Sequence, residues 1–131
     1  MKYKKRPYWK YTLEKKESYP TGIKGSNTKQ MGLVRLTEAG VLHIGKGYTW
    51  DGPSGPTFDT KTFMRGSLIH DVLYQLMREG KLSIKERQRA DEILREICLA
   101  DGMLKIRAWW VYESVRRWGG KSALPDMKEA P

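Results

Sequence analysis

The fold class the sequence predicts is α+β, and three observations predict it. Residues 1–50 alternate aromatic and β-branched runs with turn residues. Residues 45–60, "GKGYTWDGPSGPTFDT", hold four glycines and two prolines and so can form neither a helix nor a central strand. From residue 61 onward the apolar positions recur at helical spacing. The expected order is a small N-terminal antiparallel β part, a Gly/Pro-rich loop, then three helices, the first two an antiparallel pair. At 131 residues one domain, 1–131, is expected. It divides into a basic β-rich part (1–50), the loop (45–60), a helical part (61–118) and a tail (119–131).

Taken in order, "YWKYTL" (8–13) has strand composition, and "GLVRLTEAGVLHIG" (32–45) reads as a hairpin around "TEAG". Between them "SYPTGIKGSNTKQ" (18–30) is turn-rich and predicts a loop. The first helix is expected from Lys61 to Arg78, closing at Gly80 as a C′ residue. The second opens with "SIKE", where Ser83 and Glu86 have capping-box spacing, and carries Ala90, Ile93, Leu94, Ile97 and Cys98 on one face. The third is expected over Met103–Trp118, with Ile106, Trp110, Val111, Ser114, Val115 and Trp118 on one face. The end of the tail, "KSALPDMKEAP", is expected to fray.

Composition narrows the function classes. Hydrophobic residues make up 39% of the chain, enough for a core and too many for global disorder. Its apolar runs are shorter than the roughly 18 to 20 residues a membrane span needs. No apolar region follows the basic start "MKYKKRPYWKY", so no signal peptide is expected. A single cysteine, Cys98, excludes an internal disulfide, fits a reducing setting and reads as a small core residue. The net charge is +10, and residues 1–30 hold nine Lys or Arg against two Glu. Such a surface suits an anionic partner: a phospholipid surface, an acidic protein, or nucleic acid. Nucleic acid ranks lowest, because no zinc-finger, RNA-recognition or helix-turn-helix pattern is present.

The chemistry concentrates in "SLIHDVLY" (67–74). Phe63, Ser67, His70, Tyr74 and Met77 share one stripe of the first helix, and Asp71 lies about 100° further round. On the second helix Asp91 sits inside the apolar pattern, between Ala90 and Leu94. A carboxylate beside a core face needs a partner, and His70 can be that partner. The result would be an imidazole fixed on one nitrogen and able to take a proton on the other. Ser67, Ser114 and Cys98 lack the surroundings of a nucleophile, so a serine or cysteine hydrolase is not expected. His43 reads as a surface or structural residue of the hairpin.

These residues resemble a family. "HDVLY" followed by Asp91 is similar to the catalytic core of phospholipase A2, whose signature is H-D-x-x-Y with a second Asp on the antiparallel neighbouring helix. The resemblance implies a calcium-assisted hydrolase of a (phospho)lipid ester, in which His70 activates water, Asp91 orients it and Tyr74 bonds Asp91. Calcium would be held by Asp71 and by carbonyls of Trp50, Gly52 and Ser54, inside "WDGPSGP". The chain departs from that family in Pro53 and Ser54 where glycines are usual, in the extra carboxylates Asp51 and Asp59, and in lacking the flanking disulfides. A second resemblance covers most of the chain. "GYTWDGPSGPTFDTKTFMRGSLIHDVLYQLMREG", with the later "RADEIL", is similar to a domain of unknown function common in tailed bacteriophages. It implies a phage virion or the bacterial host cytoplasm, and no particular activity.

Bland alternatives stay open for each feature. His70 and Asp91 can be a satisfied core pair in a non-enzymatic virion, tail-associated or host-factor-binding protein, with Asp71 capping loop amides. "WDGPSG" can be a rigid turn with Trp50 in the core. The third helix mixes Lys105, Arg107, Arg116, Arg117 and Lys121 with Trp109, Trp110 and Trp118. That suits a membrane interface, or simply an amphipathic core helix.

Overall fold

The computed structural model describes residues 1–6, 10–50 and 61–124. Its N-terminal part forms two antiparallel sheets. β1 (Tyr3–Arg6), β2 (Lys10–Leu13) and β7 (Thr49–Trp50) make a three-stranded sheet in the order β1-β2-β7. β3 (Glu17–Pro20), β4 (Lys29–Met31), β5 (Val34–Leu36) and β6 (Val41–Ile44) make the second, ordered β3-β6-β5-β4. The expected 32–45 hairpin is present as β5 and β6, in register Val34↔Ile44, Arg35↔His43 and Leu36↔Leu42. Alternation does the sorting: Val34, Leu36, Leu42 and Ile44 are buried, while Arg35 between them is exposed.

The 18–30 segment is not a loop throughout. Its ends pair as β3 and β4, the outer strands of the second sheet. Pro20 is tolerated there because an outer strand leaves one edge of backbone unpaired. His43, expected as a surface or structural residue of the hairpin, lies 2.9 Å from the Ser18 hydroxyl across that pairing.

The helical part contains α1 (Lys61–Arg78), a 3-10 turn (Ile84–Glu86), α2 (Arg87–Ala100), α3 (Lys105–Trp118) and a one-turn α4 (Gly120–Ala123). Eleven of the eighteen residues of α1 are buried, which makes it the central helix. Leu68, Ile69, Val72 and Leu73 share a core with Tyr11, Leu13, Val34, Leu42, Ile44 and Trp50 from both sheets. α1 stops as expected: Gly80 adopts φ 71°, Lys81 N–H bonds Leu76 O (2.8 Å) and Gly80 N–H bonds Met77 O (3.0 Å). α2 ends the same way at Gly102, with Met103 N–H on Cys98 O. Both are Schellman closures, in which a left-handed glycine satisfies the last carbonyls.

α1 and α2 pack antiparallel. Gly66 lies against Cys98 and Leu94, His70 against Asp91, and Tyr74 against Asp91 and Arg87. A Cβ at Gly66 would stand 3.0 Å from both Cys98 Sγ and Leu94 Cδ1, so glycine lets the helices approach this closely without displacing either side chain. Arg65 closes that end of the seam with two bonds to Asp101 (3.1 and 2.8 Å).

Three expectations are corrected. Ser83 caps the 3-10 turn by accepting from Lys85 N–H, and Glu86 stands at the N-cap of α2 without a side-chain cap bond; the extra turn separates the two partners of a capping box. On α3 the inner face is Ala108, Val111 and Val115, while Ile106, Trp110 and Trp118 are exposed. Of the expected face Val111 and Val115 do pack, joined by Ala108, against Phe63, Leu94, Cys98 and Met103. The start of the tail is ordered: α4 docks on α1, Ala123 is buried and Arg78 donates to Ser122 O (2.9 Å). Residues 125–131 lie outside the described residues. No described helix is long and apolar enough to cross a membrane.

Candidate active site

His70 sits in the middle of α1 and Asp91 one turn into α2, so the antiparallel packing alone brings them together. His70 Nε2 lies 2.7 Å from Asp91 Oδ1, and Asp91 is fully buried. Tyr74, one helical turn beyond His70, donates its hydroxyl to the same Oδ1 at 2.6 Å. The His70 and Tyr74 rings are 4.1 Å apart, so the three groups form one packed unit.

Two arginines complete it, and sequence reasoning assigned neither. Arg116 of α3 donates to Asp91 Oδ2 at 2.9 Å. Arg87 of α2 donates from Nε to Tyr74 Oη (3.2 Å) and from Nη2 to the carbonyls of Val115 (2.8 Å) and Arg116 (2.7 Å). Arg87 therefore ties the end of α3 to the His–Asp pair, sharing the Val115 carbonyl with the Gly119 N–H and bonding that of Arg116 as well. The signal for Arg116 was its place beside Val115, on the border of the Ala108–Val111–Val115 stripe. Three larger tryptophans masked that stripe.

Electrostatics follow from these contacts. Burial pushes the Asp91 carboxyl up, but bonds from His70, Tyr74 and Arg116 outweigh it and hold Asp91 below the usual carboxylate range. Burial pushes His70 down, yet the carboxylates of Asp71 and Asp91 prevail and raise it above the ordinary imidazole value. Burial and the Asp91 charge push the Tyr74 phenol up, so it stays a donor. Because Asp91 is ionised, Nε2 carries the hydrogen it shares, and Nδ1 is left as the nitrogen that gains or loses a proton. Asp71 Oδ1 lies 3.9 Å from that Nδ1.

The pair borders a cleft of about 740 Å³. His70, Asp71 and Tyr74 line it together with Trp50 from β7, and Ser114, Val115 and Trp118 of α3 form another wall. Trp50 is a core residue as well, its indole N–H donating to Ser67 Oγ at 3.3 Å. Tyr48 donates to Gln75 at 2.5 Å, a second tie between the β part and α1.

Of the site residues expected from sequence, His70, Asp91 and Tyr74 are in direct contact, and Asp71 and Trp50 line the same cleft. Gly52 and Ser54 lie outside the described residues, as do Asp51, Pro53 and Asp59. Among the described residues no group of three or more His, Cys, Asp and Glu could hold a metal ion. A donor set of one carboxylate, Asp71, with main-chain carbonyls is oxygen-only, the kind calcium accepts and zinc does not favour. Cys98 plays no part: it is buried and its thiol is pushed up to about 12, first by burial and then by Asp101.

Fold and site together define an α+β protein whose antiparallel helix pair holds a buried His–Asp pair at a cleft. The chain belongs to the family described as "Protein of unknown function (DUF1353)", whose model matches residues 33–115. That span carries His70, Tyr74, Arg87 and Asp91 and ends one residue short of Arg116. No curated protein and no solved structure matches the chain.

Proposed function

We propose that this protein hydrolyses a (phospho)lipid ester, with His70 as general base and Asp91 as the group that orients it. The observation that carries the reading is the 2.7 Å bond from His70 Nε2 to the buried Asp91, on an imidazole that also lines the cleft. Neutral His70 takes a proton from water at Nδ1, the resulting hydroxide attacks the ester carbonyl, and the imidazolium returns the proton to the leaving alkoxide. Asp91 stabilises the transient imidazolium, and Tyr74 and Arg116 keep Asp91 ionised and in place. Asp71, with the carbonyls of Trp50, Gly52 and Ser54, would hold a calcium ion, which when bound supplies positive charge for the developing oxyanion. The likeness to the phospholipase A2 signature supports this assignment, and the likeness to a tailed-phage family supports a phage virion or the bacterial host cytoplasm as its place.

The test is fatty-acid release from phosphatidylglycerol vesicles, with calcium or with chelator. The native chain should release it only with calcium, and His70→Gln and Asp91→Asn should each lose about 100-fold or more with the fold retained. Release that survives the loss of His70 overturns the reading.

One observation favours a second reading. Among the described residues no buried side-chain polar atom lacks a partner, so the His70–Asp91–Arg116 network is also a complete structural lock. In that case the protein is a non-enzymatic virion, tail-associated or host-factor-binding component. Calcium would then leave the melting temperature unchanged, whereas a native-state calcium site must raise it.

A further inference from the structure

Ten large hydrophobic side chains are exposed among the described residues, and five of them fall between positions 99 and 110: Leu99, Leu104, Ile106, Trp109 and Trp110. On α3 the core contact is the Ala108–Val111–Val115 stripe. At 100° per residue, Ile106, Trp109 and Trp110 project from the opposite side. Trp109 and Trp110 are 50% and 59% exposed, and their rings meet edge to face at 5.8 Å. Monomeric proteins rarely leave aromatic surface of this kind in water unless something covers it.

The helix is also built against its own interest. Its N-cap is Leu104, 73% exposed and without a side-chain capping bond, where Ser or Asp would stabilise it by about 1 kcal/mol. The first turn holds Lys105 and Arg107 and no acidic residue, the unfavourable sign for the positive end of a helix dipole. Arg117 and Lys121 are exposed at the other end. Across Lys105–Trp118 the one acidic residue is Glu113, against Lys105, Arg107, Arg116 and Arg117.

We infer that the outer face of α3 docks on an anionic phospholipid bilayer, with Ile106, Trp109 and Trp110 in the headgroup layer and Lys105, Arg107, Arg117 and Lys121 over its phosphates. Tryptophan suits that layer, with an apolar ring and a polar N–H, and cations on long stems reach phosphates while their methylenes stay in apolar contact. A second copy of this chain fits worse: a two-fold contact through this face would oppose the same cations, on a chain of charge +10. The helix lies on the surface rather than across it, since no described helix can span a membrane. The docking rests on α3 and on Lys121 of the adjoining α4, and holds whether or not His70 turns over substrate.

The full chain would be sedimented with vesicles of phosphatidylglycerol and phosphatidylcholine, and with phosphatidylcholine alone. Three proteins are compared: native, the double variant Trp109→Ala/Trp110→Ala, and His70→Gln. Binding should require the anionic lipid and weaken about tenfold or more in the double variant, whose melting temperature should match the native one. His70→Gln should bind like the native chain, and absence of hydrolysis with binding intact would count against the hydrolase alone. Equal binding by the double variant and the native chain, or no binding to anionic vesicles, overturns the docking. So does a self-associated native chain that the double variant renders monomeric.

Discussion

Along the seam between α1 and α2, close approach at Gly66, an Arg65–Asp101 pair and the buried Asp91 leave no buried side-chain polar atom unpaired among the described residues. α3 has one buried residue, Ala108, and turns three tryptophans, each at least half exposed, outward. It is held by a narrow stripe of small side chains and by Arg87 and Arg116, which reach from it or to it at the His–Asp pair. Shape thus weighs most in the fit of the first two helices, while charge supplements a narrow apolar stripe in the attachment of the third. A mutation therefore costs very different amounts on the two sides of one site.

The largest effect should come from Asp91→Ala. It strands a buried imidazole, a phenol and an arginine at once, and urea titration should show a loss of about 3–5 kcal/mol. The same pair sets the pH course of stability. Asp91 is depressed in the fold, so its contribution is complete above its ordinary value of 3.8 and lost as pH falls through the lower folded value. His70 is raised, so its contribution is complete below 6.5 and lost as pH rises through the higher folded value. Unfolding free energy measured across pH should fall on the alkaline side of 6.5, and His70→Gln should flatten that limb. If the native curve were already flat there, the carboxylates would not be holding the proton on His70.

Gly66→Val tests the shape half of the comparison. Its Cβ alone would sit 3.0 Å from Cys98 and Leu94, and the overpacking should cost about 1–3 kcal/mol by thermal or chemical unfolding. Arg87→Met tests the charge half. Two α3 carbonyls and Tyr74 would lose a donor, for about 1–2 kcal/mol, and hydrogen exchange should quicken at the C-terminal end of α3 before it does in α1. Exchange that rises evenly over all three helices would show that Arg87 does not hold α3 in particular. The smallest effect belongs to Trp110→Ser, within about 0.5 kcal/mol of native, because that ring faces water. A large loss there would place Trp110 in a packed contact and erase the contrast between the two regions.

Much of this was legible in the chain itself. The period-2 run over 34–44 and the helical stripe through Ser67, His70, Tyr74 and Met77 are local patterns, and local backbone geometry decides which face each side chain takes. Gly80 announced the end of α1 for the same reason: a left-handed residue is required there, and glycine supplies it at least cost. Asp91 stood out as a carboxylate inside an apolar face, which implied a buried partner before any fold was known. β3 and β4 were not legible, because short outer strands take their structure from the strand beside them more than from their own composition.

The sequence by itself determined the α+β class, the antiparallel helix pair and the His70–Asp91 pairing, since each follows from local periodicity and a short connection between neighbouring helices; the Tyr74–Asp91 bond was implied by the resemblance to phospholipase A2. Only the tertiary structure decided the face α3 presents, the recruitment of Arg87 and Arg116, and the docking of α4. The seat for α3 is made by Phe63, Leu94, Cys98 and Met103, contributed from α1, α2 and the turn after α2, and their combined shape accepts Ala108, Val111 and Val115. Which stripe of a helix with apolar residues all round goes inward depends on the volume its neighbours leave, and that volume does not exist until the chain has folded.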